Sequence, residues 1–286
     1  MNGDIIVSFI EIYKKRGEEM KSLKDKTIVI TGASRGVGRE IALRAAKDGA
    51  NVVILAKTAE PHSKLSGTIY TVAEEVDNLG GRALPLAVDV RSEDNVRLAV
   101  DITAETFGGI DILVNNASAV ILNPTEKQIL LMNQVIVDGT RFCTEACLPY
   151  LQKSENAHVI NIAPPLPMAE HWIKKYGEYA VVKRTVSEYM AMMAGKYPSI
   201  IFNTLWPQKM LYTAATISLF GEEKARKYTR SAEIMADVVA LILESRQSGR
   251  FFTDEQALEE LGGITDFSRY LLQGSKVEDL YPDVFI

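Results

Sequence analysis

The chain has 286 residues, 47% hydrophobic and 24% charged, with a net charge of −5 and a pI near 5.4. That balance supports a buried core in one large α/β domain or two small ones, and it excludes the basic face that non-specific nucleic-acid binding needs. No apolar run approaches the ~18–20 residues of a membrane span, and the opening "MNGDIIVSFIEIYKK" lacks the charge order and long apolar stretch of a secretory signal, so a cytoplasmic location is expected.

In residues 1–19, Ile6, Phe9, Ile10 and Tyr13 fall on one helical face. Two readings stay open: an added amphipathic helix, or a domain that begins at Met20. From Lys26 onward strands and helices alternate. "TIVIT" (27–31) predicts a buried strand, "GREIALRAAKDGA" (38–50) a helix, "NVVILAK" (51–57) a second strand and "TIYTVAEEVDNLGG" (68–81) a second helix. "RALPLAVDV" (82–90), a capped helix at 92–109 and "IDILVNNAS" (110–118) follow. The pattern then predicts helix over about 125–152, strand at 158–163, helix over about 176–197, strand at 199–207 and a short seventh strand in "GRFFTDEQAL". Strict alternation with β-branched, fully apolar strands implies a single-domain, doubly wound parallel sheet of about seven strands, a Rossmann fold. Its ligand site belongs at the carboxyl ends of the strands. Cys143 and Cys147 read as buried free thiols, and His62, His158 and His171 show no ligand spacing, so no metal is expected.

"TGASRGVG" lies between the first strand and its helix, where glycines let a pyrophosphate approach a helix N-terminus. The expected cradle is Gly32, Ser34, Arg35, Gly36, Val37 and Gly38. The second strand ends Ala56-Lys57-Thr58, without the acid that binds both ribose hydroxyls of NAD. Arg35 and Lys57 can instead pair with a 2′-phosphate, which favours NADP(H). Asp89 and Val90 are expected at the adenine, Asn116 and Ala117 along the nucleotide, and Pro207 beyond the sixth strand. Tyr179 and Lys183, four apart on one helix face, form a pair able to move a proton. A neighbouring ammonium and a cationic nicotinamide favour the phenolate, which predicts a tyrosine pKa drawn down toward the working range.

"TGASRGVG", "VNNAS" and "YAVVK", in this order and spacing, resemble the short-chain dehydrogenase/reductase family over residues 25–286, and "NIAPPLP", "LWP" and "GITDFSRYLL" are similar to its hydroxysteroid-dehydrogenase-like subgroup. The resemblance implies that Tyr179 is the proton donor, Lys183 its activator, and both touch the cofactor. It also implies a serine after the fifth strand and an asparagine in the helix after the fourth. Those positions hold Ala163 or Pro164, and Ile136. Asn133, one turn earlier, is a weak substitute for the asparagine, and Ser118 or Asn161 for the serine. Restoring Ala163→Ser together with Ile136→Asn is expected to raise turnover by more than either change alone.

Two functions follow as expectations. The first is an NADP-dependent oxidoreductase for the carbonyl or secondary alcohol of a small apolar substrate, with impaired chemistry. The second is a nucleotide-binding scaffold or sensor. Residues 208–232 would form a lid with an apolar lining of Met210, Leu211, Tyr212, Ile217, Leu219 and Phe220. The resemblance implies a homodimer or homotetramer, with Met190, Met192 and Met193 as exposed apolar residues to be covered.

Overall fold

Runs of β-branched, apolar residues bury both faces of a strand, and such strands pair in parallel beneath covering helices. The structure, a computed structural model, describes residues 23–61 and 66–286. The amphipathic reading of residues 1–19 falls outside the described residues. The strands are β1 (Thr27–Thr31), β2 (Asn51–Ala56), β3 (Arg82–Ala87), β4 (Ile112–Asn115), β5 (His158–Ile162), β6 (Ile201–Trp206) and β7 (Phe251–Thr253). They form one parallel sheet in the order β3-β2-β1-β4-β5-β6-β7. Pro85 lies in β3, an edge strand, where its missing N–H costs no ladder bond.

Ten α-helices punctuate the described residues: α1 (Gly36–Lys47), α2 (Ile69–Asn78), α3 (Glu93–Phe107), α4 (Glu126–Met132), α5 (Gly139–Leu151), α6 (Glu170–Lys196), α7 (Ala214–Phe220), α8 (Glu222–Tyr228), α9 (Glu233–Glu244) and α10 (Asp254–Gly262). Ile41, Val72 and Val238 bring α1, α2 and α9 onto one face of the sheet. Val96, Cys147 and Met190 bring α3, α5 and α6 onto the other. No helix of the described residues is long and apolar enough to cross a membrane.

Three local results differ from the sequence reading. α9 was not foreseen; "EIMADVVALILE" is apolar nearly all round and its N-cap, Ala232, offers no side-chain acceptor. α6 starts at Glu170 and bends at Gly177, whose φ of 46° and ψ of −122° suit glycine rather than a residue with a side chain. Met190 and Met193 are core residues at 2% and 3% exposure; of the three methionines only Met192 faces solvent. A helix of this length hides one flank against β5 and β6, and those two side chains are on it.

Candidate active site

The topological switch lies at β1, which is flanked by β2 on one side and β4 on the other. There the strand ends part and leave a cleft of about 370 Å³. Its walls come from the turns after β1, β2, β3 and β4, so residues far apart in the chain converge: Gly32, Ser34 to Val37, Lys57, Asp89, Val90, Asn116 and Ala117. Gly38 does not line the cleft. A Cβ there would meet Asn116 Nδ2 at 2.6 Å and the Gly32 oxygen at 2.8 Å, so its place is in close packing of α1 against the β4 end. Asn116 Nδ2 donates to the Thr31 oxygen at 2.9 Å, and Thr31 Oγ1 accepts from the Asn116 and Ala117 amides at 2.9 Å each. This lacing fixes the glycine turn against β4.

Two cations, Arg35 and Lys57, and one carboxylate, Asp89, border the cleft. Lys57 is exposed at the end of β2. Arg35 donates from Nε and Nη2 to the Ser66 and Gly67 oxygens at 2.9 and 2.8 Å, which pins its guanidinium beside the loop. The Asp89 carboxylate is held by Arg91 at 2.6 Å, and that contact keeps it below the usual carboxylate range. No acid stands at the end of β2.

Tyr179, Lys183 and Pro207 are buried and are not among the residues lining this cleft. Ser118 is the junction: it lines the cleft, and its hydroxyl faces that of Tyr179. Lys183 Nζ donates to the Ile162 oxygen at 3.0 Å and lies 5.2 Å from the Trp206 ring centre. Burial lowers its pKa to about 8, against the pull of Asp283. The chain's own residues do not by themselves lower the tyrosine. Burial pushes the Tyr179 phenol well up, Asp283 pushes the same way, and only the Ser118 hydroxyl opposes them. At 3% exposure, desolvation of the phenolate is the largest of these contributions.

The two substituted positions are apolar core. Ala163 and Ile136 are 0% and 2% exposed in a cluster with Met132, Tyr179, Trp206 and Phe285. Ile136 sits in a π-helical turn, Asn133–Asp138, between α4 and α5. The Asn133 amide donates to the Ile129 oxygen at 2.9 Å, so it is committed one turn back. Asn161 Oδ1 is buried without a partner, as are Asn115 Oδ1 and Thr204 Oγ1, its register neighbours on β4 and β6.

Sequence reasoning missed the segment 281–286. It runs antiparallel to the chain after β6, with Lys209 and Pro282 as bridge partners. The Met210 amide donates to the Tyr281 oxygen at 2.9 Å, Asp283 N to the Gln208 oxygen at 3.1 Å, and Trp206 Nε1 to the Val284 oxygen at 2.7 Å. Asp283 keeps partial exposure as a residue, but its carboxyl sits among Trp206, Val284 and Lys183. Burial raises its pKa to about 7, Asp254 adds to the rise, and the Val284 amide, Trp206 and Lys183 oppose it. No motif marks these residues as part of a site.

A carboxyl with a raised folded pKa stabilises the docked segment below its solvated pKa of ~3.9, and that contribution is lost as pH rises toward about 7. Lys183 works in a separate window above about 8, and remains charged through this one. Docking of 281–286 is therefore expected to weaken between about pH 4 and 7. Both tryptophans of the chain, Trp172 and Trp206, touch Phe285, so their emission reports it. Asp283→Asn should flatten the profile; an unchanged profile in that variant would contradict the assignment.

The short chain dehydrogenase family model matches residues 26–222. The chain belongs to the short-chain dehydrogenase family. Human hydroxysteroid dehydrogenase-like protein 2 is 46% identical over 268 residues, covering 91% of this chain and 63% of that protein. The Danio rerio protein of the same name is 45% identical over 267 residues, with the same coverage. The chain thus spans less than two thirds of the length of these relatives. A solved protein of Xanthomonas campestris superposes with a TM-score of 0.86 at 42% identity, covering 92% of this chain and 98% of that one. A short chain dehydrogenase of Mycobacterium thermoresistibile gives 0.85 at 39% identity, covering 92% and 95%. Membership of this oxidoreductase family gives the seven-stranded sheet a nicotinamide-binding context that the glycine turn and cleft fit.

Proposed function

We propose that the chain is an NADP(H)-dependent oxidoreductase acting on the carbonyl or secondary alcohol of an apolar substrate, with weakened chemistry. The observation that carries this reading is Ser118: one hydroxyl both lines the nucleotide cleft and faces the Tyr179 phenol. Gly32, Ser34, Gly36 and Val37 would hold the pyrophosphate, Asp89, Val90, Asn116 and Ala117 the nucleoside and ribose, and Lys183 and Pro207 the nicotinamide end. A nicotinamide bound there would supply or accept hydride. In reduction, Tyr179 Oη gives its proton to the substrate oxygen and Lys183 returns one to the phenolate. In oxidation both transfers reverse.

Neighbours of this fold were solved bound to NAD or in complex with NADP, so the choice between cofactors rests on this chain's own residues. Arg35 and Lys57 flank the cleft with no acid at the end of β2, which supports the 2′-phosphate. Titration with NADPH and NADH is expected to favour NADPH, and Lys57→Asp to erase or reverse the preference. Equal affinity of the parent for both cofactors would sink this assignment.

A second reading, a nucleotide-binding scaffold or sensor, is favoured by the burial of Tyr179 under Phe285 and by its raised pKa. NADPH oxidation against a carbonyl panel separates the two.

A further inference from the structure

Tyr179 does not face open space. The Phe285 ring stacks on it, with centroids 5.8 Å apart and planes 28° apart. Trp172 and Tyr176 meet the same ring edge-on, at 6.1 Å and 84° and at 5.9 Å and 83°. Trp206 closes the fourth side at 5.7 Å. Parallel stacking on one wall with edge-to-face contacts on others is how aromatic groups recognise a flat ring. Phe285 reaches this place with φ of 74°, a conformation L residues with bulky side chains rarely adopt, so the ring's seat and the bonds of 281–284 hold the backbone there. With Phe285 seated, Tyr179 is 3% and Lys183 4% exposed.

We propose that the box of Trp172, Tyr176, Tyr179 and Trp206 is the substrate's ring subsite, shaped for a planar aryl ketone or benzylic alcohol, and that Phe285 occupies it as an internal competitor. This rests on the oxidoreductase reading. An aryl ring seated in place of Phe285 lies on Tyr179, and a carbonyl conjugated to it lies beside the phenol and Ser118. A saturated ring of the same skeleton is puckered and too thick to stack. The substrate's apparent affinity is reduced by the fraction of molecules in which Phe285 has left.

The test compares 1-tetralone with trans-1-decalone, which share a carbon skeleton and differ in flatness. Dissociation constants are measured by calorimetry on the full chain without cofactor, for the parent, Phe285→Ala, Phe285→Leu and Phe285→Ala/Trp172→Ala. Phe285→Ala is expected to bind 1-tetralone at least tenfold more tightly than the parent, and at least tenfold more tightly than it binds trans-1-decalone. Adding Trp172→Ala should remove most of that gain. Phe285→Leu keeps an apolar filler in the seat and guards against misfolding; it should bind 1-tetralone severalfold more tightly than the parent. Equal affinity of the parent and the folded Phe285 variants, or no preference for the flat ketone, overturns the proposal. Turnover is read separately. If the variants bind 1-tetralone as expected but never oxidise NADPH, the ring subsite stands and the oxidoreductase reading fails.

Discussion

Replacing Arg230 with alanine is expected to cost about 3–5 kcal/mol of stability, the penalty for breaking a buried ion pair and stranding its partner. Arg230 is 1% exposed, with Nη2 on Asp254 at 2.8 Å and Nη1 on Glu255 at 2.6 Å. Asp254 is fully buried, and its other oxygen accepts from the Gln208 and Glu255 amides at 2.7 and 2.8 Å. The Arg230 backbone joins the same knot, donating to the Met210 oxygen and accepting from Tyr212 N. One cation thus ties the chain after β6 to the start of α10, directly beneath segment 281–286. At ~2–4 °C per kcal/mol for a large domain, the melting temperature should fall by roughly 6–20 °C. Thermal melts followed by circular dichroism measure this, and a loss below 1 kcal/mol would show that the charges are solvated in solution.

The second large effect is a gain. Ala163→Ser is expected to raise kcat by about 10²–10³, the usual worth of one donor aimed at a developing oxyanion. Ala163 packs in the same cluster as Tyr179, and serine adds a single oxygen to it. Steady-state NADPH oxidation with an aryl ketone reads the effect. A change of less than about threefold would mean that the donor is already supplied, and Ser118→Ala would then abolish turnover. The structure revises the expectation that Ile136→Asn adds to this gain. Ile136 is 2% exposed and packs in one cluster with Met132, Ala163, Tyr179, Trp206 and Phe285. An asparagine there buries an unpaired amide at a cost of about 1–3 kcal/mol. The double variant should therefore melt lower and turn over no faster than Ala163→Ser alone.

Much of the architecture could be read from the sequence because the strands are apolar, β-branched and punctuated by glycine. "TIVIT" and "NVVILA" could pack in few ways other than side by side in a parallel sheet. The convergence of the glycine turn and the strand ends on one cleft was equally readable, because it follows from local backbone and from the order of the elements. What could not be read depends on burial across the chain. Tyr179 and Lys183 are four residues apart in any helix, but nothing local shows that Phe285 will cover them or that burial will raise the phenol. Gly177 hides the true start of α6, since its signature is a backbone conformation rather than a composition. α9 was missed because a helix apolar on nearly every side has little periodic contrast.

The two cysteines have a practical consequence. Cys143 and Cys147 are both buried and free in α5, and burial raises the Cys143 thiol to about 12 and Cys147 well above its ordinary value. Only the thiolate attacks maleimides and disulfides. At pH 8 a thiol of pKa 12 is ionised in about one molecule in ten thousand. The folded protein is thus chemically silent toward thiol reagents, and a cysteine introduced at Tyr281 or Pro282, both exposed, could carry a label with almost no background. A fluorophore there would make the seating and release of Phe285 directly visible, molecule by molecule.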